Sequence, residues 1–317
     1  MSRYPRDTRP PAAKVTAMIK LGILDFDTSH CVEFTKRLNH IGNDKDQFVD
    51  GARIVIGCPG TSKLSPERVE GFTKQMKDFG VPLVDKPEDM IGKVDGVLIE
   101  AVDGTVHYER AKPFLEAGIP CFIDKPYACS VTDAKKLAEL AAKKKLPLFS
   151  SSSLRYAPEV VTFAADPKRG KLVGCVVYGP ASLSPIPERN AGLFHYGIHP
   201  VEVLYALMGP GCKRVTCTHD TDTDIVTGHW ADGRMATVRG IRKGASAYGF
   251  VGFSEKGVQA VTIGTKFIYR ELLKQIVEMF RTKKSPLDIA ETIELVAFIE
   301  AANRSGANHG AGETVKA

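Results

Sequence analysis

Between residues 19 and 150, short β-branched apolar runs alternate with stretches of helical spacing, and no other feature constrains the fold as much. The run MIKLGILDF has strand length and is followed by TSHCVEFTKRLN, where Thr28 or Ser29 can cap a helix. ARIVIG reads as a second strand. The next helix has Ser65 as cap, Pro66 in its first turn and Gly80 as its stop. VDGVLIEA is a third strand. A helix over 105–117 then ends at Gly118, with Pro113 expected to kink it. Residues 119–123 form a further strand, 132–145 a further helix, and LPLFSSSS a last strand. Parallel strands need crossovers of this kind, so the pattern predicts βαβ units in a doubly wound parallel sheet.

From about residue 170 the pattern becomes strand-rich, through KLVGCVVYG, CKRVTCTHD, DIVTGHW, RMATVRG, GFVGFSE and GVQAVTI. Asp232-Gly233 and Lys256-Gly257 sit where hairpin turns belong. HPVEVLYALMG predicts one intervening helix, and residues 268–282 and 288–303 two closing ones. The expected class is α/β: the doubly wound sheet, then an α+β domain with a mostly antiparallel sheet. A chain of 317 residues exceeds a single core, and the boundary is expected near residue 150. The divisions are therefore 1–17, a disordered leader, then 18–150 and 151–317.

Charge narrows the list of partners. The formal net charge is +6, but Arg3, Arg6, Arg9 and Lys14 against Asp7 place half of it in the leader. The body is nearly balanced, carries no basic stripe and has one tryptophan, so no nucleic-acid partner is expected. Lys143–Lys145 reads as a solvated helix end. The leader has no apolar run, no stretch approaches about 18 apolar residues, and no membrane association is expected. Seven cysteines without a C-x-x-C pair fit reduced thiols in a cytoplasmic protein.

Ligands of open parallel sheets bind beyond the strands' carboxyl ends, which nominates residues 25–30, 58–63, 102–107 and 124–127. The first of these usually holds a glycine-rich loop that lets a pyrophosphate approach the backbone. Here it reads Asp25-Phe26-Asp27-Thr28-Ser29-His30, with every fingerprint glycine replaced. Three readings stand open: a helix cap, a metal site, or an altered cofactor loop. Asp25-x-Asp27 also matches a haloacid-dehalogenase-type phosphatase, but no later strand ends in the second acidic cluster that chemistry needs. No metal is assigned. Asp124-Lys125-Pro126 follows an apolar strand, so Lys125 emerges at the active edge. There it can hydrogen-bond a substrate hydroxyl, with partial burial lowering its pKa. His195 and His199 lie four apart at a helix start, with Glu202 three beyond, and imidazoles suit acid–base work near neutral pH.

With these motifs on this architecture, the sequence resembles the Gfo/Idh/MocA oxidoreductase family over most of residues 18–304. The likeness includes the segment around His107, Leu154-Arg155-Tyr156-Ala157-Pro158, and the closing helices. It implies that residues 18–150 are a Rossmann-like dinucleotide-binding domain and 151–317 a substrate and oligomerisation domain. It also implies an NAD- or NADP-dependent oxidoreductase acting on a hydroxyl of a sugar, cyclitol or similar small molecule. The family's Glu-Lys-Pro corresponds to Asp124-Lys125-Pro126 and its Asp-x-x-x-His to His195–His199. Lys125 and His199 thereby inherit catalytic roles. Asp124, His195, Arg155 and Glu202 are expected at the substrate, and Asp25, Asp27, Thr28, Ser29, His30 and His107 at the cofactor. Ser62 and Lys63 favour NADP, because no acid follows the second strand. A homo-oligomer is implied. Two rivals keep the fold. One is a cofactor-free or metal-assisted sugar lyase or hydrolase using Asp25, Asp27, His30, His107 and His199; the other is a non-catalytic ligand sensor.

Overall fold

The computed structural model describes residues 17–317, so all of the leader except Ala17 lies outside the described residues. Five parallel strands form the first sheet: β1 (Ile19–Leu24), β2 (Ala52–Cys58), β3 (Gly96–Ile99), β4 (Cys121–Ile123) and β5 (Leu148–Phe149). Their order is β2-β1-β3-β4-β5. A single parallel bridge from Gly57 to Leu83 adds the stub of another strand outside β2, which its length hides from a periodicity reading. The crossovers are α1 (His30–Asn39), α2 (Pro66–Asp78), α3 (His107–Glu116) and α4 (Val131–Lys144). α3 runs on through Pro113, and β5 keeps only two residues of the strand expected from LPLFSSSS.

Strand alternation divides the apolar residues of this sheet between two faces. Leu24, Val97, Ile99, Cys121 and Ile123 pack with Phe114 and Leu115 of α3 and Leu137 of α4. Leu21, Ile23, Leu98 and Phe122 pack with Phe34 of α1 and with a helix from the far end of the chain, α7 (Ile268–Thr282). Burying one face of α7 therefore ties the closing segment to the first sheet.

After a short helix α5 (Pro158–Ala165), a seven-stranded sheet forms from β6 (Leu172–Pro180), β7 (Cys212–Asp220), β8 (Thr223–Trp230), β9 (Met235–Ile241), β10 (Gly249–Ser254), β11 (Gly257–Thr262) and β12 (Glu313–Thr314). Its order is β11-β10-β6-β9-β8-β7-β12, with β6 and β9 parallel and the other pairs antiparallel. The fold class is thus the expected parallel sheet joined to a mostly antiparallel one. Asp232-Gly233 turns between β8 and β9, whereas the second turn is Glu255-Lys256, with Gly257 already paired to Ser254. Helices α6 (Ile198–Met208) and α8 (Ile289–Ala307) cover one face, where Tyr205 and Phe298 meet edge to face. No described helix is long and apolar enough to cross a membrane.

Gly96 opens β3 directly over α7, and a Cβ placed there would fall on the ring of Phe280. Overpacking of a well-filled core costs about 1–3 kcal/mol. Gly96→Ala is therefore expected to lower unfolding stability by that amount in urea titration, with an unchanged m-value.

Candidate active site

In each of three neighbouring strands the residue after the last apolar position is an acid. Asp25 follows β1, Glu100 follows β3 and Asp124 follows β4. Because Leu24 pairs with Ile99 and Ile99 with Ile123, the three carboxylates form a row along one sheet edge. All are buried.

Asp25 has a left-handed backbone, φ 67°, and its carboxylate packs against Gly60 and accepts a hydrogen bond from Arg110 Nε at 3.1 Å. Burial pushes its carboxyl up to about 7, with the Asp27 charge adding and Arg110 opposing. Its amide and that of Phe26 donate to Cys58 O and Pro59 O, strapping the loop after β1 to the loop after β2. Asp27 accepts from Val102 N at 3.0 Å and from Ser62, so it joins the loops after β1 and β3; burial raises its pKa as well. Asp124 accepts from His30 Nδ1 at 2.6 Å. Burial acts to raise its pKa, and the His30 charge and hydrogen bond carry it below the usual value instead. Glu100 Oε2 lies 3.7 Å from His30 Nδ1, and neither of its oxygens has a hydrogen-bond partner. Burial, then the Asp124 charge, holds its carboxyl well above the usual range.

Above this edge lies a cleft of roughly 520 Å³ between the two sheets' domains. The first domain lines it with Thr28, Ser29 and His30 at the start of α1, Ser65 and Arg68 of α2, and Lys125. The second contributes His195, Tyr196, His199 and Tyr248, and α7 contributes Tyr269. Lys125 Nζ stands 5.9 Å from the centre of the Tyr196 ring. His199 Nδ1 is 2.7 Å from Ser152 Oγ, which leaves Nε2 without a hydrogen-bond partner among the described residues. Burial, then the Lys125 charge, lowers its pKa well below the ordinary histidine value, so its ring is neutral at pH 7. His195 is shifted the same way for the same two reasons, and its buried Nδ1 has no partner.

The expected site residues divide accordingly. Lys125, His195, His199, Thr28, Ser29 and His30 meet at the cleft. Arg155 and Glu202 lie beneath it: Arg155 donates to Glu202 and Glu291, both at 2.7 Å, and Ser151 Oγ reaches Glu202 at 3.4 Å. They connect to the cleft through the Ser151–Ser152 segment, whose Ser152 hydrogen-bonds His199. His107 is fully buried, with Nε2 2.9 Å from Ala101 O and Nδ1 2.9 Å from Pro126 O, so it clamps the loops after β3 and β4 together. Asp25, Asp27, His107 and His199 do not gather into one set of ligands; among the described residues the cluster that does is His30, Glu100 and Asp124. Sequence reading missed Glu100, whose signal was a lone charge closing a buried strand. It also missed Tyr196, Tyr248 and Tyr269, which sit in ordinary-looking apolar contexts.

The Gfo/Idh/MocA family model, described as an oxidoreductase family with an NAD-binding Rossmann fold, matches residues 61–152. Over these residues the chain is similar to that family. Among curated proteins, YceM of Salmonella typhimurium, named as an oxidoreductase, is 35% identical over 94 residues, 30% of each chain. The rhizopine catabolism protein MocA of Rhizobium meliloti is 27% identical over 160 residues, 47% of this chain and 50% of that one. The chain thus spans half or less of the length of these curated relatives. Two solved structures share the fold throughout. GenD2 from gentamicin A biosynthesis, in complex with NAD, superposes with TM-score 0.79 at 17% identity, over 98% of this chain and all of that one. Myo-inositol 2-dehydrogenase from Lactobacillus plantarum gives 0.77 at 13% identity, over 95% and 100%.

The Asp25 carboxyl yields a pH test. Its folded pKa lies above the unfolded one, so between about pH 4 and 7 the folded state keeps a proton that the unfolded state has lost. Stability from this group therefore falls as pH rises through that window, by about 1.4 kcal/mol per unit, and is level above it. Asn tolerates the left-handed backbone. Asp25→Asn is expected to gain on the wild type from pH 4 to 7 in urea unfolding, and parallel curves would refute the assignment.

Proposed function

We propose that the chain is an NAD- or NADP-dependent oxidoreductase that oxidises or reduces a hydroxyl-bearing carbon of a sugar, cyclitol or similar small molecule. The observation that carries this reading is the meeting of Lys125 from the first domain and His199 from the second on opposite walls of one cleft. The family match over residues 61–152, the NAD complex of GenD2 and the inositol named in the Lactobacillus enzyme's title support it.

The residues at the start of α1 fit a dinucleotide. Helix N-termini favour phosphate, and Thr28 and Ser29 add hydroxyls, with Arg68 facing them across the cleft. The replaced glycines do not oppose this, because Asp25 is paired with Arg110 and Asp27 with Val102 N and Ser62, and neither carboxylate lines the cleft. When bound, the nicotinamide supplies the hydride acceptor or donor. The chain's own residues do the rest. Lys125 donates a hydrogen bond to the reacting oxygen and stabilises its developing negative charge. His199 Nε2, neutral at pH 7, takes the hydroxyl proton, with Ser152 fixing the ring. Tyr196, Tyr248 and Tyr269 offer aromatic faces to the C–H side of a polyol, while His195 and the hydroxyls of Ser153, Ser182 and Thr265 meet its oxygens.

Fluorescence titration with NADH and NADPH checks the cofactor. Binding of either in the micromolar range is expected, and no binding of both below millimolar concentration would sink the reading. With a turned-over polyol in hand, His199→Ala is expected to lower kcat by about 10²–10⁴-fold. The wild-type kcat/KM should rise with pH along a limb lying below the ordinary histidine pKa and be level at neutrality. The uncovered face of the second sheet exposes Val173, Ile225, Met235, Phe253 and Val258, which supports a homo-oligomer. Sedimentation is expected to show a dimer or larger species, and Phe253→Glu to shift it toward monomer.

A further inference from the structure

We propose that His30, Glu100 and Asp124 bind one divalent transition cation, of the zinc–manganese class, at the floor of the cleft. The candidate ligand atoms of these three buried residues all lie within 4.8 Å of one another. Imidazole with two carboxylates is the donor set that Zn²⁺, Mn²⁺ and Fe²⁺ share.

The protein itself satisfies only some of the polar atoms here. Among the four carboxylates at this sheet edge, Asp25 Oδ2 has Arg110 while its Oδ1 packs unpartnered against Gly60, Asp27 has Val102 N and Ser62, and Asp124 Oδ2 has His30. Glu100 is fully buried with both oxygens unpartnered, and Asp124 Oδ1 is buried and unpartnered beside it. Native interiors rarely leave such atoms unmet, and those they do leave call for an ion or a water. Charge points the same way. When ionised, the four carboxylates face two fixed cations, Lys125 and Arg110, so a dication closes the balance.

The imidazole is held in place for this role. The His30 ring stacks on Phe34 at 5.1 Å and meets Tyr269 edge-on at 5.0 Å between centres. Binding would release to solvent the proton shared by His30 Nδ1 and Asp124 Oδ2, together with the proton that burial favours on Glu100, and open the 2.6 Å separation of His30 and Asp124. The new separation would be roughly 3 Å, as ligand bonds of about 2.1 Å require. His30 itself also lines the cleft. Nothing in this placement needs the redox reading to hold, and dinucleotide titration reports on that separately.

The test is a Co²⁺ titration of chelator-stripped full-length protein, followed by visible absorption and calorimetry, with Zn²⁺ in thermal melts. One Co²⁺ per chain with d–d bands and a Zn²⁺-dependent rise in Tm are expected. Glu100→Gln and Asp124→Asn, both near-isosteric, are expected to weaken binding at least about tenfold and to lose the Tm rise. His219→Ala, which removes the exposed ring paired with Asp224, is expected to change neither. Should one variant fail to fold, the other decides together with the wild-type spectrum. Absence of Co²⁺ bands in the wild type, or binding that both variants retain, overturns the proposal.

Discussion

The structure depends on how buried charge is met where the first sheet ends. Three neighbouring strands close on Asp25, Glu100 and Asp124, all within a water-poor edge. Unpaired carboxylates at such a site would protonate or force the loops apart. The partners come from the starts of the crossover helices. His30 is the first residue of α1, and Arg110 stands in the first turn of α3. The loop after β1 is therefore tied to α3 and the loop after β4 to α1, and the β1 loop is strapped further through Asp27 to Val102. This network fixes the start of α1, and with it the direction in which Thr28 and Ser29 face the cleft.

Much of this architecture was legible because it depends on period. The strands of the first domain are apolar runs with crossovers of ordinary length, and α7 and α8 appear almost at their observed bounds. Contacts between distant segments were not legible. The apolar stripe of α7 says that one face is buried, but nothing in its spacing says that the face belongs to β1 and β3 rather than to its own domain. The parallel pairing of β6 with β9 is equally silent, since strand patterns do not record direction.

At the site, residue type was a better guide than residue role. Asp25-x-Asp27-x-x-His30 allowed a cap, a metal site or a cofactor loop, and the structure divides the motif among different duties. Asp25 and Asp27 brace loops, His30 joins Glu100 and Asp124, and Thr28 and Ser29 face the cleft. The helical spacing of His199 and Glu202 was read as one functional face. Three residues along a helix do lie on one side, but that side is deep enough for its two ends to meet different surroundings. His199 reaches the cleft, and Glu202 is held by Arg155 below it.

That depth explains how a site split between two domains keeps its geometry. The chain crosses from the first sheet to the second through Ser150–Ser153, and all four residues are buried. Ser152 fixes His199, Ser151 reaches Glu202, and Glu202 is locked to Arg155, which is locked in turn to Glu291 of α8. On the other side, Asn190 of the second domain holds Gly104 N and Val102 O of the loop after β3. Buried hydrogen bonds and an ion pair thus tie His199 to the segment that leaves the first sheet. On the proposed reading, the His199 imidazole is thereby placed before substrate arrives, the condition under which a positioned acid–base group contributes most.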